Sequence, residues 1–477
     1  MSKHARSLCA LAFCLVAVLL AGCFPDNSLT WSSDGSVGLF RAGGKLFLVD
    51  ATGELTSIRP EGGVSLMPGI SADGKQIAYG VGYPCENVQE GLDLFPPFMA
   101  ETIGRDAQDL AQKVTAGLVQ PDALLPGKGN PLGFTEAYHR WVVRAMCESP
   151  DEALAARLGQ DKLAECRECE IGYTRLIVAP SANPRQGTAL VTMPVAMFHP
   201  CFSPDGRHIA YIVPDLRDGD KGTLYIASAD GATDAAEVAA GVAVSYDWRP
   251  DGRALAYVKQ DSEALLGVLE EKTVIDETGT LLAQLSAKAA TAPVGIQRFA
   301  DNGHQLVGTL FQPFMNVQYG SAGRLFFSSA AGKIPTSNLE QPTYSLFCYD
   351  ATTGTVVDVL PASVAALTGD MVNFFALSPD KTKVLLPMAK HRFAIYTLGE
   401  KTPVIPIDEA EQFGDEMPDM LPAWKNTTQL ACLVSETSRF LGGAGAGEDD
   451  RHEIVVLNTD GSFATHLSKD WPDDVMP

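Results

Sequence analysis

The chain has 477 residues, 46% of them hydrophobic and 20% charged, a balance that can bury a large core and excludes a disordered composition. Its 58 acidic and 36 basic residues give a formal charge of −22, which repels nucleic acid and anionic lipid headgroups.

The N-terminus carries Lys3 and Arg6 ahead of a run from Leu8 to Ala21 that is apolar apart from Cys9 and Cys14. A positive stretch before a short apolar one is an export signal. About fourteen apolar residues are too few for a spanning helix, which needs about twenty. The segment that ends the run, Leu20-Ala21-Gly22-Cys23, resembles the bacterial lipobox. That resemblance implies removal of residues 1–22, a lipid on Cys23, and a short tether over 23–27. Losing Lys3 and Arg6 takes the charge from −22 to −24, so acyl chains rather than electrostatics would hold the protein to a membrane. The expected location is the bacterial cell envelope, on the periplasmic side of the outer membrane where the host has two membranes.

One short phrase then recurs along the chain. It reads Trp31-Ser-Ser-Asp34-Gly35, Ile70-Ser-Ala-Asp73-Gly74, Phe202-Ser-Pro-Asp205-Gly206 and Trp248-Arg-Pro-Asp251-Gly252. Weaker copies stand at Phe299-Ala-Asp301-Asn-Gly303, Leu377-Ser-Pro-Asp380-Lys381 and Trp424-Lys-Asn426-Thr. A short apolar strand follows each copy, as in Ile77-Ala-Tyr79 and Ile209-Ala-Tyr211, so each phrase is a hairpin turn between strands A and B. A second turn comes later in most units, at Asp50–Gly53, Asp230-Gly231, Asp276–Gly279, Asp350–Gly354, Gly399-Glu400 and Asp460-Gly461. Two hairpins make four strands, and four-stranded units at this period are the mark of propeller blades.

These residues resemble the WD-like repeats of the TolB-type propellers, whose phrase is aromatic-Ser-Pro-Asp-Gly-Lys/Arg-x-hydrophobic-Ala-Tyr/Phe. The resemblance implies an all-β, seven-bladed β-propeller of four-stranded antiparallel blades over residues 28–477. The repeated aspartates read as turn residues, and the aromatics (Trp31, Phe202, Trp248, Phe299, Trp424) as packing between blades.

Three units are lengthened between strands B and C, over about 84–172, 312–343 and 437–451. All three excesses would fall on one face, around the mouth of the central channel. The first, 84–172, carries helical patterns over 98–119, 134–148 and 150–166, with Ser149-Pro150-Asp151-Glu152 as a helix start. It reads as a helical insertion in blade two. Its Cys85, Cys147, Cys166 and Cys169 are candidate disulfide partners whose pairing the sequence leaves open. Cys201, Cys348 and Cys432 read as small buried hydrophobes on strands. Asp215, Asp218 and Asp220, and the loop Gly442–Gly447, read as solvated loops.

No Gly-x-Ser-x-Gly, His-Glu-x-x-His or phosphate loop is present, so no catalytic residue, metal or cofactor is assigned. The histidines are scattered, with His199 the one nearest the expected channel mouth. The expected function is non-enzymatic binding of a protein, peptide or glycan on the decorated face. A polysaccharide lyase or glycosidase with a site at the channel mouth is the alternative.

Overall fold

The computed structural model describes residues 29–467 apart from 43–44, 59–64, 218–220, 262–265, 279, 282–293, 296–315, 332–342, 351, 354, 389–391, 400–404, 409–416, 419–421, 436–451 and most of 361–373. Residues 1–28 and 468–477 also lie outside it. The export signal, Cys23, the phrase at 299–303, Asp218, Asp220 and the loop at 442–447 therefore fall beyond the described residues.

Four copies of the recurring phrase fold the same way. The serine hydroxyl donates to the aspartate Oδ1, which also accepts the N–H two residues further on, and the serine Oγ accepts the N–H five residues after it. This set joins Ser32, Asp34, Ser36 and Val37, and again Ser71, Asp73, Lys75 and Gln76, at 2.7–3.1 Å. It recurs at Ser203, Asp205, Arg207 and His208, and at Ser378, Asp380, Thr382 and Lys383, at 2.6–3.2 Å. The next position has positive φ, 72° at Gly206 for example, which glycine adopts without a Cβ clash. Lys381 takes that place at 61°.

Six sheets result among the described residues, all antiparallel. The first runs in order β1 (Leu29–Trp31), β2 (Val37–Ala42), β3 (Lys45–Asp50), β4 (Leu55–Ile58). The second is β5 (Ser65–Ile70), β6 (Gln76–Cys85), β7 (Ile171–Pro180), β8 (Thr188–Met193). The third has seven strands, β9 (Phe198–Phe202), β10 (His208–Pro214), β11 (Lys221–Ser228), β12 (Ala236–Trp248), β13 (Ala254–Asp261), β14 (Leu266–Thr273) and β15 (Val294–Gly295). Its middle strand β12 pairs with β11 through its first half and with β13 mainly through its second, and the register shifts between Val242 and Tyr246.

The fourth sheet is β16 (Val317–Tyr319), β17 (Leu325–Ala331), β18 (Thr343–Asp350), β19 (Thr355–Asp358). The fifth is β20 (Ala376–Leu377), β21 (Lys383–Met388), β22 (Arg392–Thr397), β23 (Ile405–Asp408). In the last, β24 (Met417–Pro418) and β25 (Ala423–Asn426) both pair with β26 (Gln429–Ser435), followed by β27 (His452–Asn458) and β28 (Phe463–His466).

One sequence expectation is corrected here. The span 312–343 is not an excess between strands B and C, because β16 and β17 lie inside it and their hairpin turns at 320–324. That turn, Gly320-Ser-Ala-Gly323-Arg324, lacks the Asp-Gly phrase and uses positive φ at Ala322 and Gly323, so the sequence pattern passes over it.

First strands of successive units lie side by side, β1 by β5, β5 by β9, β9 by β12 and β12 by β16. Side chains tie the rest of the circle. Ser245 Oγ accepts Val317 N, Asp247 Oδ2 accepts Tyr319 N, and Gln318 Oε1 accepts Leu377 N. Trp424 Nε1 donates to Ala376 O at 2.9 Å and joins the last sheet to the fifth, while Trp248 Nε1 donates to Cys201 O at 3.1 Å and joins β12 to β9 within the third. Closure comes where β25 meets β1. The Lys425 ammonium donates to Gly35 O at 3.0 Å and sits 4.8 Å from the centre of the Trp31 ring. A closed ring of antiparallel sheets is the architecture of a β-propeller, and the apolar clusters lie between its sheets, one of them joining Trp31, Phe40 and Phe47 to Ala431 and Ile454.

Between β6 and β7 stand four helices, α1 (Val88–Leu94), α2 (Pro97–Thr115), α3 (Glu136–Glu148) and α4 (Glu152–Arg167), with a 3-10 turn at Pro121–Leu124. Helix α4 starts two residues later than the sequence suggests. Asp151 is its cap, accepting Leu154 N at 2.7 Å, while Ser149 ends α3 and Pro150 lies outside both helices. No helix among the described residues is long and apolar enough to cross a membrane.

Candidate functional site

The hairpin β6–β7 runs ten residues in unbroken register from Gln76↔Pro180 to Cys85↔Ile171, and so carries the helices out from the ring on a stiff ribbon. The base of the helical layer is Trp141, fully buried, whose Nε1 donates to Gly172 O at 2.8 Å and whose ring lies edge-on to Phe95. Arg144 fastens the rim by donating to both Cys169 O and Glu86 O. The layer also leans on the next unit. Thr135 N donates to Leu216 O at 2.8 Å, Arg217 donates to Leu132 O and stacks over Phe134, and Phe98 faces Tyr225.

The helices therefore lie over the β10–β11 connection, on the side of the ring away from the Asp-Gly turns. Their outer surface exposes Leu94, Phe98 and Leu118, the last 77% exposed.

Inside this layer Cys85, Cys147, Cys166 and Cys169 are buried free thiols, and no disulfide joins them. Cys147 and Cys166 hydrogen-bond to each other between α3 and α4. The contact and burial push the Cys147 thiol well up, while Cys166 is lowered, first by that same contact. Cys169 lies a turn beyond, and Cys85 is held apart at the head of the insertion, against Asn87 O and Glu90. Of the strand cysteines, Cys348 and Cys432 are buried and Cys201 is part-exposed.

The inner ring holds a second group of chemically suggestive residues. His199 has φ 49°, a strained value for a residue with a Cβ, and its carbonyl and that of Ala210 share the single donor of the Tyr246 hydroxyl. Beside them lie Cys201, its thiol pushed up to about 12 by burial, and Asp247. Asp247 accepts Trp248 N and Tyr319 N, yet desolvation raises its carboxyl above the ordinary range against the pull of Lys381. The sequence signal for Asp247 is an acid directly before the tryptophan of a phrase, a pattern that by itself does not mark a buried site.

The described histidines do not converge. His139 is buried in α3 with Nε2 2.9 Å from Leu124 O, His199 stands on β9, His208 on β10, His452 on β27 and His466 on β28, while His304 and His391 lie outside the described residues. Among the described residues no three or more His, Cys, Asp or Glu are grouped to hold a metal ion.

No protein-family model and no curated protein matches the chain. Several solved structures do. An oligogalacturonate lyase in complex with manganese is 14% identical with a TM-score of 0.41, over 78% of this chain and 77% of that one. TolB from Acinetobacter baumannii is 15% identical with a TM-score of 0.33, and this chain spans 58% of its length using 61% of its own. The β-propeller domain of the Trilobed protease from Pyrococcus furiosus is 10% identical with a TM-score of 0.42, over 83% and 82%.

Proposed function

We propose that this chain is a non-enzymatic, seven-bladed binding propeller of the bacterial cell envelope, anchored by a lipid on Cys23, that docks a protein, peptide or glycan on its helix-bearing face. Counting β12 in two blades, as its divided pairing supports, gives seven first strands: β1, β5, β9, β12, β16, β20 and β25. The observation that carries the binding reading is the helical layer itself. It is set on a ten-residue ribbon, braced against the neighbouring unit, and presents apolar residues outward. Large side chains on a rigid support suit a docking surface.

A photo-crosslinking residue at Leu118 or Phe98 of the full-length protein in cells is expected to trap one defined envelope partner, and one at Val357, 50% exposed on β19, none. Equal trapping from all three positions, or from none, would sink the reading. Cys23→Ala is expected to move the protein from the membrane to the soluble fraction; unchanged membrane association would remove the lipid anchor from the proposal. In an oxidising envelope we further assign the disulfide to Cys147 and Cys166, the two thiols already in contact.

A second reading, a polysaccharide lyase or glycosidase, draws on Asp247, a desolvated inner-ring carboxyl of the kind used for proton transfer. Cleavage of a polyuronate that Asp247→Asn abolishes would put this reading first.

A further inference from the structure

On the face opposite the helices, a groove of about 470 Å³ opens between the Asp73-Gly74 turn of the second sheet and the Asp205-Gly206 and Asp230-Gly231 turns of the third. Its charges are unequally matched. Asp73 is paired with Lys75 at 2.9 Å and Asp205 with Arg207 at 2.6 Å, each within its own turn. Asp230 has no cation within ion-pair distance among the described residues; its carboxylate accepts Ala232 N at 2.9 Å and the Ser228 hydroxyl.

Two further acceptors face the same space. His208 is 7% exposed and lines the groove, and no hydrogen bond reaches its ring among the described residues. Burial lowers its basicity, which keeps the ring neutral and one nitrogen free to accept, with Asp205 and Asp230 pulling the other way. Gln76 Oε1 is buried without a partner and stands beside the Gly206 turn, 4.0 Å from where a Cβ on that glycine would lie. A buried carbonyl oxygen left unpaired loses its bond to water without replacement, and an occupant with a donor would restore one.

We propose that this groove binds a primary ammonium group, presented on a lysine side chain of a peptide. Three groups that can accept line the groove, the Gln76 amide oxygen, a His208 ring nitrogen and the Asp230 carboxylate, as many as an ammonium has N–H donors, and Asp230 supplies the one unbalanced negative charge. A guanidinium is planar and prefers a paired carboxylate edge, while a neutral polyol would leave the Asp230 charge unmatched. The site is independent of the helix-bearing face.

The test uses the mature full-length protein carrying ¹³C-labelled histidine, with the His208 signal identified by its loss in His208→Gln. Titration with Nα-acetyl-lysine amide is expected to shift that signal saturably, and Asp230→Asn, at an exposed turn position, to weaken binding by about tenfold. Lysine amide acetylated at both nitrogens is expected to give no shift. No saturable shift with the free amine, an equal shift with the doubly acetylated probe, or undiminished binding in Asp230→Asn would each overturn the proposal. A saturable response to glucosamine but not to the lysine probe would overturn the peptide source.

Discussion

At Asp34, Asp73, Asp205 and Asp380 a single carboxylate oxygen organises a tight turn. Asp205 Oδ1 accepts both the Ser203 hydroxyl and Arg207 N, so replacing it with alanine leaves two donors to water and frees the turn. Asp205→Ala is expected to lower stability by about 1–2 kcal/mol, read as a drop in unfolding midpoint; an unchanged midpoint would show that Gly206 alone sets the turn. The same hairpin carries a pH dependence. Burial lowers the His208 pKa below its ordinary 6.5, so the unfolded chain takes up the proton first as the pH falls. The stability tied to a neutral His208 is therefore complete above about 6.5 and is lost as pH falls through the lower folded value. His208→Gln is expected to flatten the decline of the melting midpoint in that window, and a slope identical to the parent's would count against this origin. These turns were legible because Ser-x-Asp-Gly encodes both the bonds and the backbone angle. The acceptors in the groove were not, since Gln76, His208 and Asp230 belong to different phrases or turns and only the ring brings them together.

At the scale of elements, the sequence showed where the repeat breaks and what kind of structure breaks it. The change from alternating to helical periodicity across 98–166 corresponds to α2, α3 and α4, whose buried faces follow that spacing, for instance Met99, Ile103, Leu110 and Val114. The seven-residue helix α1 escaped notice because it offers barely two turns of pattern. Cysteine pairing was equally hidden, as four thiols in one segment allow three pairings and only packing sets Cys147 against Cys166. Peptide mapping of protein recovered from an oxidising compartment is expected to find a Cys147–Cys166 link, with Cys85 alkylated as a free thiol. A link of about 20 residues of loop is worth about 3 kcal/mol, so reduction should lower the melting midpoint. Recovery of Cys147 and Cys166 both free, with no effect of reductant, would refute the assignment.

The whole molecule depends on joining its ends. Lys425 is 8% exposed, and burial lowers its pKa, yet its ammonium spans from the last sheet to Gly35 O and covers Trp31 of the first. Lys425→Met keeps the stem and removes the bond and the charge, with an expected loss of about 1–3 kcal/mol. Limited proteolysis should then cut first near residues 43–64 and not in the third sheet; cleavage unchanged in site and rate would mean that apolar packing alone holds the closure. Nothing in the phrase Trp424-Lys-Asn426-Thr announced this lysine, because its role exists only when residues about 390 positions apart meet.

The divided strand β12 has a consequence for how the protein comes apart. Neighbouring sheets elsewhere in the ring share no strand ladder and can separate one at a time, but β9 to β15 share one continuous ladder of amide bonds. Peeling β11 from β12 exposes the backbone that also registers β13. Two repeats thus open in one cooperative step, as a single foldon. Amide hydrogens of β10, β11, β13 and β14 should exchange with solvent at a common, slowest rate, long after those of β2 or β22 have been replaced.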